Sequence, residues 1–237
     1  MHAWHLVSRF GESAYLLPSA LVIALWLCHR NTAGSALRWL AAIALAAGLT
    51  LASKLAFMGW GLGIRAVDFT GFSGHSAMSA AVLPVLLYLC APASRPRLAR
   101  LGAACGIALA LLIGWSRLVL DAHSPSEVVT GLALGLTAST VFLNWPGRDE
   151  LPRGVAPLAA ALVFFTALQA LPAAGILDNT HLLVEKMAVY LSGRERPYHR
   201  PYRHDEAMRG IGPAAAIARP AAAAIALPAL SAPPSAG

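Results

Sequence analysis

Ser116-Arg117-Leu118-Val119-Leu120-Asp121-Ala122-His123-Ser124-Pro125-Ser126-Glu127 joins two long apolar stretches, and its polar residues fall in an order that constrains both the local fold and its chemistry. Ser124 is suited to cap a helix, Pro125 to occupy its first turn, and Glu127 to close a capping box three residues after the serine. That is a sufficient structural role for Glu127. The same geometry places His123 just outside the cap and Glu127 one turn in, so the carboxylate can accept a hydrogen bond from one imidazole nitrogen. Such a bond fixes the tautomer and leaves the other nitrogen bare to attack an electrophile.

The apolar stretches on either side set the class of protein. Of 237 residues, 57% are hydrophobic and 12% charged, against about 25% charged in an ordinary soluble domain. The mean hydropathy is +0.62. These values predict an all-α, polytopic membrane bundle of about six transmembrane helices and exclude a separate soluble core. A crossing needs about 20 mostly apolar residues, and the spans are expected at 12–28, 36–58, 75–93, 99–116, 126–145 and 155–172. His29 and Arg30 follow the first span with no small-residue cleavage site before them, so it reads as an uncleaved anchor. The small-residue spacing from Gly131 to Gly135 hints at close helix packing. Cys28, Cys90 and Cys105 fall inside apolar runs without paired or metal-type spacing and read as small hydrophobes.

Arginines in short loops orient the bundle. Arg30 and Arg38, then Arg95, Arg97 and Arg100, then Arg148 and Arg153 mark three cytoplasmic links. The links carrying His75 and His123 then share the opposite side, which for a bacterial inner membrane is the periplasmic one. Six spans put the tail on that side too, in conflict with its many arginines, unless long tails escape the rule or the number of spans differs by one. Three regions are expected: a membrane domain over 1–175, a basic amphipathic segment over 176–210 with a helix from Asn179 to Leu191, and an Ala/Pro-rich disordered end over 211–237. The formal charge of +7, from 16 arginines and two lysines, points to anionic lipid headgroups as partners and away from nucleic acid.

Several further polar residues lie at span ends. Ser73-Gly74-His75 opens the third span, where a helix N-terminus presents free N–H groups and glycine lets an anion approach the backbone. Ser73 can simply cap the helix, and His75 can be an interfacial polar residue. The functional alternative makes His75 a general acid. Arg117 could snorkel or pair with Asp121, yet its guanidinium fork also matches phosphate oxygens. Lys54 and Arg65 flank a glycine-rich bend; Lys54 can snorkel or reach the same pocket as Arg117, and Asp68 can balance Arg65.

Taken in order, Phe72-Ser73-Gly74-His75 and Ser116-Arg117-x5-His123-x3-Glu127 resemble the second and third signature motifs of the type-2 phosphatidic acid phosphatase family, relatives of vanadium haloperoxidases and bacterial acid phosphatases. The resemblance is strongest over 50–145. It implies that His123 is a nucleophile forming a phosphohistidine, that Glu127 orients it, and that His75 protonates the departing alcohol. It implies phosphate binding by Arg117, Ser73 and Gly74, with Lys54 and Arg65 as further candidates, and no metal or other cofactor. The expected activity is hydrolysis of a lipid phosphate or isoprenoid pyrophosphate.

The chain departs from the family pattern in places. Glu127 stands where aspartate is usual, Phe72 where proline commonly precedes the serine, and the family's first motif is absent, since ten residues separate Lys54 from Arg65 and Ala66 replaces the proline. Arg-Pro recurs at Arg196-Pro197 and Arg200-Pro201. The segment from Arg194 to Arg203 could fold over the site and replace the missing charge, or simply touch headgroups. Transfer of the phosphoryl group to a lipid or sugar acceptor is an alternative to hydrolysis, which a phosphorylated product would reveal. A non-catalytic transporter or scaffold of the same fold is another, although it leaves the ordered motifs unexplained. Neither the lipid nor the oligomeric state is legible.

Overall fold

Long runs of Leu, Ala, Ile and Val interrupted by turn residues fold as helices because, without water, the backbone must satisfy its own hydrogen bonds. The computed structural model describes residues 2–30, 32–145, 151–154, 159 and 176–199. In chain order the helices are α1 (His2–Arg9), α2 (Ser13–His29), α3 (Ala33–Trp60), α4 (Gly74–Leu89), α5 (Pro96–Val119), α6 (Pro125–Asn144) and α7 (Ile176–Ser192). Among the described residues there is no strand, only an isolated bridge between Ile64 and Phe69. The described residues belong to one unit, Met1–His199.

Among the described residues, four helical segments are long and apolar enough to cross a membrane: His2–His29, Ala33–Trp60, Pro96–Val119 and Pro125–Asn144. Their outward faces are apolar too, as Leu37 at 70% exposure and Val129 at 63% illustrate. A helix of that kind needs either a protein interior or lipid around it. The protein is therefore an all-α membrane protein.

The third expected span is shorter than the sequence predicts. It stops at Leu89 rather than at residue 93, because Pro92 and Pro96 bracket the following link. Its 16 residues reach about 24 Å. This short helix sits at the centre of the bundle, with α5 and α6 packed closely against it. Gly135 permits the closest approach: a Cβ there would lie 2.1 Å from the Ala77 carbonyl oxygen, and one at Gly131 would lie 2.8 Å from that of Ser73. The Gly131–Gly135 spacing is thus used inside the chain, between α6 and α4. Away from the polar end, Trp39 donates to the Ala20 carbonyl at 2.8 Å and its ring meets Phe142 at 5.2 Å.

The expected amphipathic helix over 179–191 falls within α7, and Gly193 follows it at φ +66°. α7 packs on α3. Beyond it, the Tyr198 amide donates to the Met58 carbonyl at 2.8 Å, and Arg194 stacks 4.2 Å from the Tyr198 ring centroid. The sixth expected span, most of 155–172, and the segment from residue 200 onward lie outside the described residues.

Candidate active site

The turn between α5 and α6 folds as its residue types demand. Asp121 takes a left-handed φ of +52°, and Ser124 caps α6 with Pro125 in its first turn. The capping box is complete: the Glu127 amide donates to Ser124 Oγ at 3.4 Å, and the Ser124 amide to Glu127 Oε2 at 3.3 Å. The same Oε2 lies 2.7 Å from His123 Nδ1. A carboxylate only accepts, so the proton sits on Nδ1 and the lone pair on Nε2. The capping box and the contact with His123, both expected of Glu127, coexist in one carboxylate.

The other oxygen of that carboxylate is equally occupied. Oε1 accepts from the Thr70 amide at 2.8 Å and from the Thr70 hydroxyl. Glu127 is 1% exposed, and a charge so buried is tolerated only when its lone pairs are satisfied. Thr70 is delivered by the link between α3 and α4, which the Ser126 hydroxyl grips at the Val67 carbonyl over 2.8 Å.

The second histidine segment is tied to the first through the backbone. The Ser73 amide donates to the Glu127 carbonyl at 3.1 Å, joining the starts of α4 and α6. Ser73 occupies the N-cap of α4 but makes no side-chain cap; its fully buried hydroxyl instead accepts from Ser76 at 3.0 Å. Lys54 reaches the same place from α3, its Nζ lying 3.8 Å from where a Cβ on Gly74 would stand. The Phe72 amide donates to Ser53 Oγ at 3.1 Å, which fixes that approach. Arg117, His123 and Lys54 are all within electrostatic reach of His75.

Arg117 comes from the last turn of α5. One Nη1 hydrogen bond goes to Ser8 Oγ, not to Asp121, which is exposed. Its Nε is buried without a partner among the described residues. Arg65 is not drawn in with the others: it lies in an exposed 3-10 turn, Arg65–Val67. Burial holds the His123 imidazole below the usual histidine range, helped by Lys54 and Arg117 and opposed by the hydrogen bond and charge of Glu127.

Four contributors escaped the sequence reading. Thr70 carries no motif, and Ser8, Gly11 and Glu12 precede the first expected span or stand at its very start. Gly11 lies so close to the second histidine that an added Cβ would be 3.3 Å from both Cβ and Cδ2 of His75. Arg9 just ahead of an apolar run was the one signal there, and it says nothing of an arginine on α5.

The arrangement combines a tautomer-fixed imidazole, a second imidazole, two cations and a helix N-terminus, a set suited to attack on a bound oxyanion and to its stabilisation. A family model described as the PAP2 superfamily matches residues 36–150. A curated protein of Klebsiella pneumoniae, described as an uncharacterized 22.5 kDa protein in the cps region, is 39% identical over 208 residues, covering 86% of this chain and 99% of the relative. No solved structure gives a significant match. The family match runs through α3 to α6 and so contains His75, Arg117, His123 and Glu127 together with the helices that hold them; the chain belongs to the PAP2 superfamily, whose members are generally phosphatases.

Proposed function

We propose that the protein hydrolyses a lipid phosphate or an isoprenoid pyrophosphate through a phosphohistidine. The observation that carries this reading is the 2.7 Å contact between His123 Nδ1 and Glu127 Oε2, beside a second histidine and two cations. Nε2 of His123 attacks phosphorus, a P–N bond forms, and the P–O bond to the leaving group breaks. His75 gives its proton to the departing oxygen, and the dianion held beside it supplies the negative charge that favours the imidazolium. Water then attacks the phosphohistidine, His75 takes a proton from that water, and phosphate leaves as the P–N bond breaks. Arg117, Lys54, Ser73 and the Gly74 amide hold the oxygens on which charge develops, so the residues present account for the charge without a metal.

A lipid substrate fits the surroundings of the site. Trp60 at the end of α3, Leu62, Ile64 and Val67 on the α3–α4 link, and Trp115 on α5 are exposed, as expected for a rim at the lipid–water interface. Arg30, Arg38, Arg95, Arg97 and Arg100 lie at or near the other ends of the helices, which favours a periplasmic site. Arg194, stacked on Tyr198 near the end of α3, is suited to an anionic headgroup.

The test is phosphate release by the purified protein in EDTA from phosphatidate, phosphatidylglycerol phosphate and undecaprenyl pyrophosphate. Wild type should release phosphate and His123→Ala should not. Equal release by both proteins removes the phosphohistidine, while a phosphorylated acceptor in place of free phosphate turns the reading into a transferase.

A further inference from the structure

The N-terminal segment reaches Arg117 and His75 from outside the stretch that matches the family, which begins at residue 36. Ser8, in α1, is 5% exposed and accepts from Arg117 Nη1 across 109 residues of sequence. α1 packs on α5, the helix that carries Arg117. Gly11 then brings the backbone against His75 and Ile113, where a Cβ would be 2.4 Å from Ile113 Cγ2. Glu12 follows, with its Oε2 buried and unpartnered and its charge felt by Arg117.

We infer that Ser8 and Glu12 complete the phosphate site, Ser8 as the positioning residue that fixes the guanidinium of Arg117 and Glu12 as the counter-charge that a bound phosphate must displace. This rests on the phosphatase reading above.

The physical case begins with the arginine. A guanidinium has five donors and a long, flexible stem, and one ordered acceptor fixes the direction in which the remaining donors point. Ser8 is neutral, so it fixes orientation without cancelling charge. Glu12 does the opposite: no ion pair within 4.0 Å joins it to Arg117 among the described residues, yet it follows Gly11, whose backbone packs on His75, and so brings a negative charge to the same end of the bundle. An entering dianion meets both groups. It gains the oriented donors of Arg117 and is repelled by Glu12, which keeps product phosphate from lingering.

Three variants separate these effects in the full-length protein, assayed by phosphate release with His123→Ala as the reference. Ser8→Ala should lower kcat by about tenfold or more, as expected for loss of a hydrogen bond to a charged group, with KM changed far less, because the charge that attracts substrate remains. Ser8→Thr keeps the hydroxyl and should recover most of the loss. A merely structural serine would lower thermal stability and leave the kcat of the folded protein alone. Glu12→Gln should tighten inhibition by inorganic phosphate severalfold.

Unchanged kcat in folded Ser8→Ala, or no recovery with threonine in a folded protein, overturns the positioning role. Unchanged or weaker phosphate inhibition in Glu12→Gln overturns the counter-charge. If His123→Ala is inactive while these variants behave as wild type, this inference falls alone. If His123→Ala retains activity, the phosphohistidine reading falls and takes this one with it.

Discussion

The two halves of the site are built on opposite plans. Around Glu127 both carboxylate oxygens are committed, to His123 and Ser124 on one side and to Thr70 on the other. Around Arg117 one donor is committed to Ser8, Nε has no partner, and the nearby Glu12 keeps a buried unpartnered oxygen. Satisfied buried networks rigidify, and unsatisfied groups are costly. The His123 imidazole is therefore held in one orientation, while the cationic half keeps hydrogen-bonding capacity in reserve.

This contrast can be broken from either side. The largest effect belongs to His123→Ala, which removes the attacking nitrogen and should cut turnover by at least about a thousandfold, measured as phosphate release. Glu127→Gln keeps the size of the side chain but offers an amide where the imidazole needs an acceptor. It should cost about a hundredfold or more in kcat. Because the carboxylate raises the affinity of His123 for its proton, the same variant should move the acid limb of the kcat/KM profile to lower pH. In wild type that limb should itself fall below the ordinary histidine value of 6.5, because burial lowers the affinity of His123 for its proton and protonation at Nε2 removes the lone pair. A limb above 6.5, or one moved to higher pH in the variant, would contradict the assignment.

The reserve half should respond more gently. Arg117→Lys retains charge and loses the planar fork, so turnover should fall by about ten- to a hundredfold, and detergent-solubilised kinetics will show whether the loss is mainly in kcat. Thr70→Val removes one hydroxyl from a carboxylate that keeps the Thr70 amide, His123 and Ser124. A loss of about 1–2 kcal/mol in stability and a fall in turnover smaller than for Arg117→Lys are expected, read by thermal unfolding and phosphate release. A larger effect for Thr70→Val than for Arg117→Lys would reverse the division between a fixed and a reserve half.

How far the sequence reveals this depends on the range of each contact. The Ser124–Glu127 box and the His123 pairing are legible because they lie within one helical turn, where residue spacing determines distance. Five of the expected spans are helices for the equally local reason of apolar length, although the short α4 misleads any count based on 20 residues. Thr70, Ser8 and Glu12 are invisible because each acts on a residue brought near only by helix packing. Lys54 could not be separated from Arg65 in the sequence for the same reason. With ten residues between them, one stands on α3 and the other beyond its end: the Lys54 side chain comes close to Gly74, and Arg65 sits on an exposed turn.

The close contact of α6 with α4 has a mechanical corollary. With Gly135 against the Ala77 carbonyl and the Ser73 amide bonded to the Glu127 carbonyl, the two histidine-bearing segments are welded at their backbones near the reacting end. The covalent connection between α4 and α5, residues 90–95, lies at the far end of those helices and takes no part in that weld. Two separately made fragments divided in that link would therefore carry, in the seam itself, the instructions for rejoining.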